Sequence, residues 1–472
     1  MIASIFNTFV NCFKIPELKS RIFFTLIVLA ICRLEAWIMI PGLDGEKLRL
    51  FFDSLRKNET GGGMMGMYSM FTGGAVENCA IGALGIMPYI SATIVMQLLT
   101  AVVPSLSKLA REDGGRVKII KYSRYLTLLI CIGQGFFTAT TWEHPQRMPG
   151  FGDFPGTLLM DVNHLWWYRI QTVMLLTTGT LLLMWLGEQI TERGIGNGIS
   201  LIITIGILAR LPAAVGGVKD MFFPGGDAPR QFYFTHAIAL VFLLCFVVAG
   251  VIAVTQAQRK IPVQYAQRAV GRKVFGGTTS FLPLRLNFAG VMPIIFAGAI
   301  LMVPQQLFIS IGSSYPGLKF LTNIGLALQS DTLTYYLLYT LLILFFSYFW
   351  TATQFNELQI ADDLKKNGGY IPGVRPGQAT SSYLHNSMSR ITLAGAIFLA
   401  VIAVLPMLLS RQMHIPTQVS SFFGGTSMLI NVGVLLDTMR QMESHLMMRH
   451  YDGFLRGGKG GRGSGPRLRG RL

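Results

Sequence analysis

The sequence predicts an all-α integral membrane protein of ten transmembrane helices, built as two inverted five-helix halves. Three observations predict it: a charge-poor composition, apolar stretches of membrane-spanning length recurring along the chain, and a short internal repeat between the halves. Of 472 residues, 51% are hydrophobic and 13% charged, and the mean hydropathy is +0.49. A soluble domain carries about 25% charged residues, so the bilayer is this chain's solvent.

Crossing the hydrocarbon takes roughly 20 mostly apolar residues. Such stretches lie at Ile22–Ile40, Gly85–Val103, Tyr122–Thr140, Ile170–Leu186, Ser200–Val215, His236–Val254, Asn287–Leu307, Leu333–Thr353, Ile391–Leu409 and Phe423–Met439. Segment 1–21 precedes the first span, which runs into Ile40-Pro41-Gly42 with no small-residue cleavage site. It therefore reads as a retained helix following an N-terminus at Met1, not as a signal peptide. Spans one to five form an N-terminal half over 22–215, and spans six to ten a C-terminal half over 236–439, followed by a basic tail over 440–472.

Between spans one and two, Gly61–Gly74 is too short to cross, apolar, and bracketed by glycines, which predicts a movable half-helix. Irregular backbone at membrane depth survives only inside protein or beside a water-filled cavity, because bare peptide groups cannot face lipid. A re-entrant element therefore implies a cavity. The repeat points to the same place. Met87-Pro88-Tyr89-Ile90 in span two is echoed by Met292-Pro293-Ile294-Ile295 in span seven. Gly198-Ile199-Ser200-Leu201-Ile202-Ile203 in span five is echoed by Gly425-Thr426-Ser427-Met428-Leu429-Ile430 in span ten. Five is an odd number, so the second half enters from the opposite face, as in inverted-repeat transporters.

An even number of spans puts both termini on one side. Most of the 40 Lys and Arg fall in the N-terminal segment, the even-numbered loops and the tail, while acidic residues divide evenly between the two sides. The positive-inside rule makes that side cytoplasmic, and the net charge of +17 gathers there. Two cytoplasmic loops, Thr255–Leu286 and Gln354–Arg390, are long and polar. The first carries Arg259, Lys260, Arg268, Arg272, Lys273 and Arg285 without a carboxylate, which reads as a landing surface for an anionic partner in preference to a positive-inside anchor, since topology needs fewer charges and a shorter loop.

Catalytic chemistry has no foothold. The seven histidines are dispersed, and no nucleophile has a base beside it. Gly194-Ile195-Gly196-Asn197-Gly198 follows no strand and reads as a tight cytoplasmic turn, not a phosphate cradle. The five cysteines show no paired spacing and read as small hydrophobes, so neither a metal nor another cofactor is expected. Ionisable groups at mid-membrane are assigned to Arg33 and Glu35 alone, two apart on one helix and each expected to find a partner on another helix or to reach toward an interface. A secondary transporter would need more such charges, and a membrane enzyme would need a catalytic pair.

The motifs FTGGAVENCAIGALGIMPYISATIVMQLL, DGGRVKIIKYSRYLTLL, MWLGEQITERGIGNGISLII, IPVQYAQRAVGRK, LPLRLNFAGVMPIIFA, ADDLKKNGGYIPGVRPG, FGGTSMLI and LMMRHYDGFL, in this order, make the chain resemble the SecY family. These are channel subunits of the Sec protein translocase. The resemblance implies a clamshell of two inverted halves around a central hourglass pore, no enzymatic activity, and a multi-pass location in the bacterial inner membrane. It implies a waist ring of Ile86, Ile90, Ile203, Ile295 and Ile430, residues that composition alone would place in an ordinary core or against lipid.

The resemblance further implies a plug over 64–72, with Met64, Met67, Tyr68, Met70 and Phe71, and a lateral gate between spans two and three and spans seven and eight. Ser91, Gln97, Asn287 and Val303 would lie at that gate. Arg268, Arg272, Lys273 and Arg375 would dock the SecA ATPase or the ribosome. The implied partners also include the small membrane subunits SecE and SecG, signal peptides, unfolded preproteins and the lipid bilayer. Departures from the family pattern are Glu35 in RLEAWIMIPG, Gln267 in place of a basic residue, and FNELQIADD without a proline after Asn356. The tail Gly457–Leu472 is Gly- and Arg-rich and reads as disordered.

Overall fold

A computed structural model of the chain describes residues 15–57, 69, 72–112, 114–145, 158–160, 164–222, 234–265, 268–270, 273–275, 279–314, 319–329, 332–412, 419, 422 and 426–456. The helices, in chain order, are α1 (Pro16–Glu35), α2 (Gly45–Lys57), α3 (Met87–Val102), α4 (Pro104–Arg111), α5 (Gly115–Glu143), α6 (Leu165–Arg193), α7 (Gly198–Leu208), α8 (Leu211–Phe222), α9 (Phe234–Gln256), α10 (Met292–Ser314), α11 (Lys319–Ala327), α12 (Leu333–Gln354), α13 (Glu357–Lys366), α14 (Gln378–Gln412) and α15 (Thr426–Arg456). A 3-10 turn at Ile81–Leu84 leads into α3. Proline opens α1, α3 and α4 at the first or second position, where a missing N–H costs nothing.

Each predicted span overlaps a helix, although α1 ends at Glu35, short of Ile40. Among the described residues, six helical stretches are long and apolar enough to cross a membrane: Ile81–Val102, Leu165–Arg193, Gly198–Lys219, His236–Gln256, Leu333–Lys366 and Gln378–Leu409. The helices at spans one, three and ten carry charges that lower their averages: Lys19, Arg21, Arg33 and Glu35 on α1, Lys118, Lys121 and Arg124 on α5, Asp437 and Arg440 on α15. Span five is split between α7 and α8 at Ala209–Arg210, just ahead of Pro212. Span seven starts late, because Asn287–Val291 forms a turn before α10.

Large apolar side chains such as Phe23, Leu26, Trp185, Phe242, Leu337, Leu341 and Phe398 are exposed along these helices. In water such a surface would drive aggregation; in a bilayer it is the lipid face. The largest buried cluster runs through the middle of the molecule and draws from α1, α3, α6, α7, α9, α10, α12, α14 and α15. A second core lies around α2, with Ile40, Leu48, Phe52, Leu84, Trp142, Leu158 and Leu176. Asp44 starts α2 by accepting from the Lys47 backbone N–H, and its hydrogen bonds to Lys47 hold its carboxyl below the usual carboxylate range.

The two long loops are not open coil. Five strands form there: β1 (Gln258–Tyr265), β2 (Arg268–Val270), β3 (Lys273–Phe275), β4 (Thr279–Arg285) and β5 (Gly369–Tyr370). Strand β1 pairs antiparallel with β4 from Gln258↔Arg285 to Gln264↔Thr279, and also with β5 at Gln264↔Tyr370 and Tyr265↔Gly369. One sheet thus joins both loops. A separate core of Ile261, Val263, Leu284, Phe355, Ile371, Leu384, Met388 and Ile391 fixes it to α14, with Ile360 and Leu364 of α13 packed against it.

Candidate functional site

The repeated motifs occupy equivalent places. Met87-Pro88 and Met292-Pro293 each open a helix, and each is preceded two residues earlier by a left-handed glycine, Gly85 at φ +57° and Gly290 at φ +63°. A β-carbon is costly in that region, so the same turn feeds both helices by the same means. Asn287 locks the second turn, its Nδ2 donating to Gly290 O at 2.9 Å. Asn197 caps α7, accepting from the backbone N–H groups of Ile199 and Ser200.

The five isoleucines all sit at or near helix starts. Ile86 lies just before α3, Ile90 in its first turn, Ile295 in the first turn of α10, and Ile203 and Ile430 near the starts of α7 and α15. All five belong to the central cluster and are at most 4% exposed. Helices α3 and α10 pack together, as do α7 and α15, so the paired repeats meet across the middle.

Other predicted site residues are placed less uniformly. Met64, Met67, Tyr68, Met70 and Phe71 lie outside the described residues, but Ser69 and Thr72 beside them are buried. Ser91 is half-buried, Gln97 Oε1 is buried without a hydrogen-bond partner, and Asn287 bonds within its own turn. Val303 lies in α10, but its side chain falls outside the description. Arg268 and Lys273 lie in the β2–β3 hairpin, with Arg268 opposite Phe275 and Lys273 opposite Val270, and Arg272 falls outside the described residues. Arg375 is exposed in the turn after β5, where its carbonyl accepts from Thr380 Oγ1. Arg259, Lys260 and Arg285 are also exposed on the sheet.

The glycine-rich run 194–198 is a turn, with Gly196 at φ +90°. Thr25 Oγ1 accepts from Ile195 N, Gln441 Oε1 from Gly196 N and Thr191 Oγ1 from Gly198 N, so α1, α6 and α15 all hold it. Cys32, Cys79 and Cys131 are buried free thiols. Burial pushes the Cys79 thiol up to about 12, which keeps it neutral as a packing residue.

The assignment of mid-membrane charge needs correction. Arg33 does find a partner, donating from Nη2 to Gly73 O at 2.9 Å. Glu35 does not: it is 3% exposed, both carboxylate oxygens lack a hydrogen-bond partner, and it faces Gly82 and Gly179. Arg210, inside predicted span five, is a further membrane-depth charge. Its Nη2 lies 2.6 Å from Glu77 Oε1 and also donates to the Ser69 hydroxyl. A charge within an otherwise apolar stretch was the available signal; its partner was not visible along the chain.

Fold and site together define a helical membrane protein in which two repeated sets of helix starts contribute to one buried apolar cluster, with a separate basic sheet joining two loops. The SecY family pattern matches residues 80–439. The SecY translocase subunit of Chlamydia trachomatis is 42% identical over 450 residues, covering 94% of this chain and 97% of that protein. That of Thermotoga maritima is 40% identical over 454 residues, covering 96% and 98%. The chain belongs to the SecY family, the channel subunit of the protein translocase and not an enzyme. Among solved structures, a protein-conducting channel superposes with a TM-score of 0.55 at 16% identity, covering 90% of this chain and 91% of that one. Another is a SecY whose plug domain is described as stabilising the closed translocation channel and maintaining a membrane seal, with a TM-score of 0.54 at 17% identity. Sec61 from a canine ribosome-channel complex also matches, at 0.55 and 16%. At these identities the likeness carries the fold.

Proposed function

We propose that the five isoleucines are the waist of a protein-conducting pore. Unfolded secretory chains pass through it, and transmembrane helices leave sideways into lipid. The observation that carries the reading is the convergence of Ile86, Ile90, Ile203, Ile295 and Ile430, from four separate helix starts, into one buried cluster. An apolar constriction excludes water and ions by dewetting. Aliphatic side chains make no directional bonds, so they can part around an extended polypeptide of any sequence and close again behind it.

The lateral exit lies between α3 and α10, which touch each other and pack respectively on α5 and α12. Opening there separates the two repeats without breaking either half. Ser91, Gln97, Asn287 and Val303 are the gate residues of this reading, and the buried, unpartnered Gln97 oxygen favours it. The plug is the segment 64–72, with Met64, Met67, Tyr68, Met70 and Phe71, and the buried Ser69 and Thr72 anchor its end.

The basic sheet is the docking platform. A surface already folded onto α13 and α14 presents Arg259, Lys260 and Arg285, with Arg375 in the turn after β5, and strands β2 and β3 bring Arg268 and Lys273; Arg272 completes the docking set of this reading. Docking there needs little ordering on binding. The partners of this reading are the SecA ATPase and the ribosome at the platform, and SecE and SecG at the lipid-facing helices. It sets the protein in a bacterial inner membrane with both termini cytoplasmic. The test is site-specific crosslinking from Ile90 or Ile430 to an arrested secretory precursor. Adducts from both are expected; adducts from other positions but none from these would refute the pore.

A further inference from the structure

Residues 72–80 connect the plug to the gate helix α3, and no regular secondary structure stabilises them. They are a chain of turns, with Gly73 at φ +61°, Gly74 at φ +93° and Cys79 at φ 48°. Its Cys79 end is tied to the chain after α1 by a backbone bond from Ile40 N–H and a bridge between Met39 and Ala80, and around Gly73 side chains hold it. Here two guanidinium groups do so. Arg33, near the end of α1, donates to Gly73 O at 2.9 Å. Arg210, at the break between α7 and α8, meets Glu77 Oε1 at 2.6 Å, and the Ser69 hydroxyl donates to the same oxygen at 2.6 Å while accepting from Arg210. Gly73 also lies against the backbone of Gly206 on α7, where a β-carbon would come within 3.0 Å of Gly206 Cα.

We infer that Glu77, Arg210 and Ser69 form a closed-state latch, which holds the end of the plug segment against α7 and must break for the channel to open. This inference rests on the pore reading above. The side chains of Glu77 and Arg210 are only 9% and 16% exposed, so breaking the pair leaves charges poorly solvated. Arg33 and Arg210 also lie close enough to repel each other. Glu77 therefore compensates Arg210, and losing its charge leaves the two neighbouring cations without that carboxylate.

The test compares Glu77→Gln, Arg210→Met, their double variant and Ser69→Ala with wild type, each in the full translocon reconstituted into proteoliposomes. Resting ion flux is read without substrate, and precursor translocation is read alongside. Glu77→Gln and Arg210→Met should each raise resting flux at least about tenfold, since removing one partner strands the other charge. Ser69→Ala, which keeps both charges, should raise it less. The double variant should leak no more than the worse single variant, because both break the same contact. Wild-type flux in both single charge variants, or a double effect equal to the product of the single ones, would overturn the latch. Hydrogen exchange at the amides of 74–80 decides the same point without requiring a pore. Faster exchange in Glu77→Gln supports the tether, and unchanged exchange overturns it, whatever translocation shows.

Discussion

Replacing Ile90 and Ile430 together by serine should make the resting channel leak ions. Ile90 is 4% exposed and Ile430 fully buried, so each gives up nearly its whole apolar burial. Fully burying such a side chain is worth about 1.5–3 kcal/mol. At roughly 1.4 kcal/mol per factor of ten, each substitution should favour a hydrated waist by about ten- to a hundredfold, less where neighbours relax into the space. Ile→Val at the same two sites sets the scale, since one methylene is worth about 0.8 kcal/mol, or roughly fourfold. The assay is dye-reported ion flux from proteoliposomes containing the intact translocon, with precursor translocation as the control for folding. A serine pair no leakier than wild type, in protein that still translocates, would refute dewetting at this cluster. A valine pair as leaky as the serine pair would refute it too.

Glu35→Gln, which keeps the shape and removes the charge, should leave thermal stability in detergent unchanged or raised, because neither carboxylate oxygen has a partner to lose. Gly179→Ala should lower it by about 1–3 kcal/mol, since the added carbon would lie 2.5 Å from Ile81 O and 2.6 Å from Glu35 Oε1. Arg375→Glu should impair SecA-driven export at least about tenfold by setting a like charge against the partner's anionic surface, with normal amounts of protein in the membrane; undiminished export would remove Arg375 from the docking surface. Thr25→Val should cost about 1–3 kcal/mol by stranding the buried Ile195 N–H, and a melting temperature equal to wild type would show that this turn is held without Thr25.

Much of the fold was legible because a bilayer imposes local rules. Spans such as His236–Val254 and Leu333–Thr353 appear as helices almost to the residue, as Phe234–Gln256 and Leu333–Gln354. The Met-Pro and Gly-x-Ser/Thr motifs marked the helix starts that bring the isoleucines together, since proline and left-handed glycine constrain the backbone wherever they occur. The turn at 194–198 was readable for the same reason. What local pattern cannot report is which elements touch. Loops Thr255–Leu286 and Gln354–Arg390 look like separate polar connections, yet Gln264 pairs with Tyr370 in one sheet. Arg210 was passed over when mid-membrane charge was assigned to Arg33 and Glu35 alone, and its partner Ser69 lies 141 residues away.

The sequence by itself determined that this chain lives in lipid, where its helices run and which residues begin its repeated helices. These follow from composition and from dihedral preference, properties that each segment holds alone. Tertiary structure decided that five isoleucines from four helix starts share one buried cluster, that two loops share one sheet, that Glu35 is buried without a hydrogen-bond partner, and that Arg210 closes on Glu77. Those facts depend on the distance between segments far apart in the chain, and the strength of a charge or an apolar contact is set by what lies within a few ångströms of it.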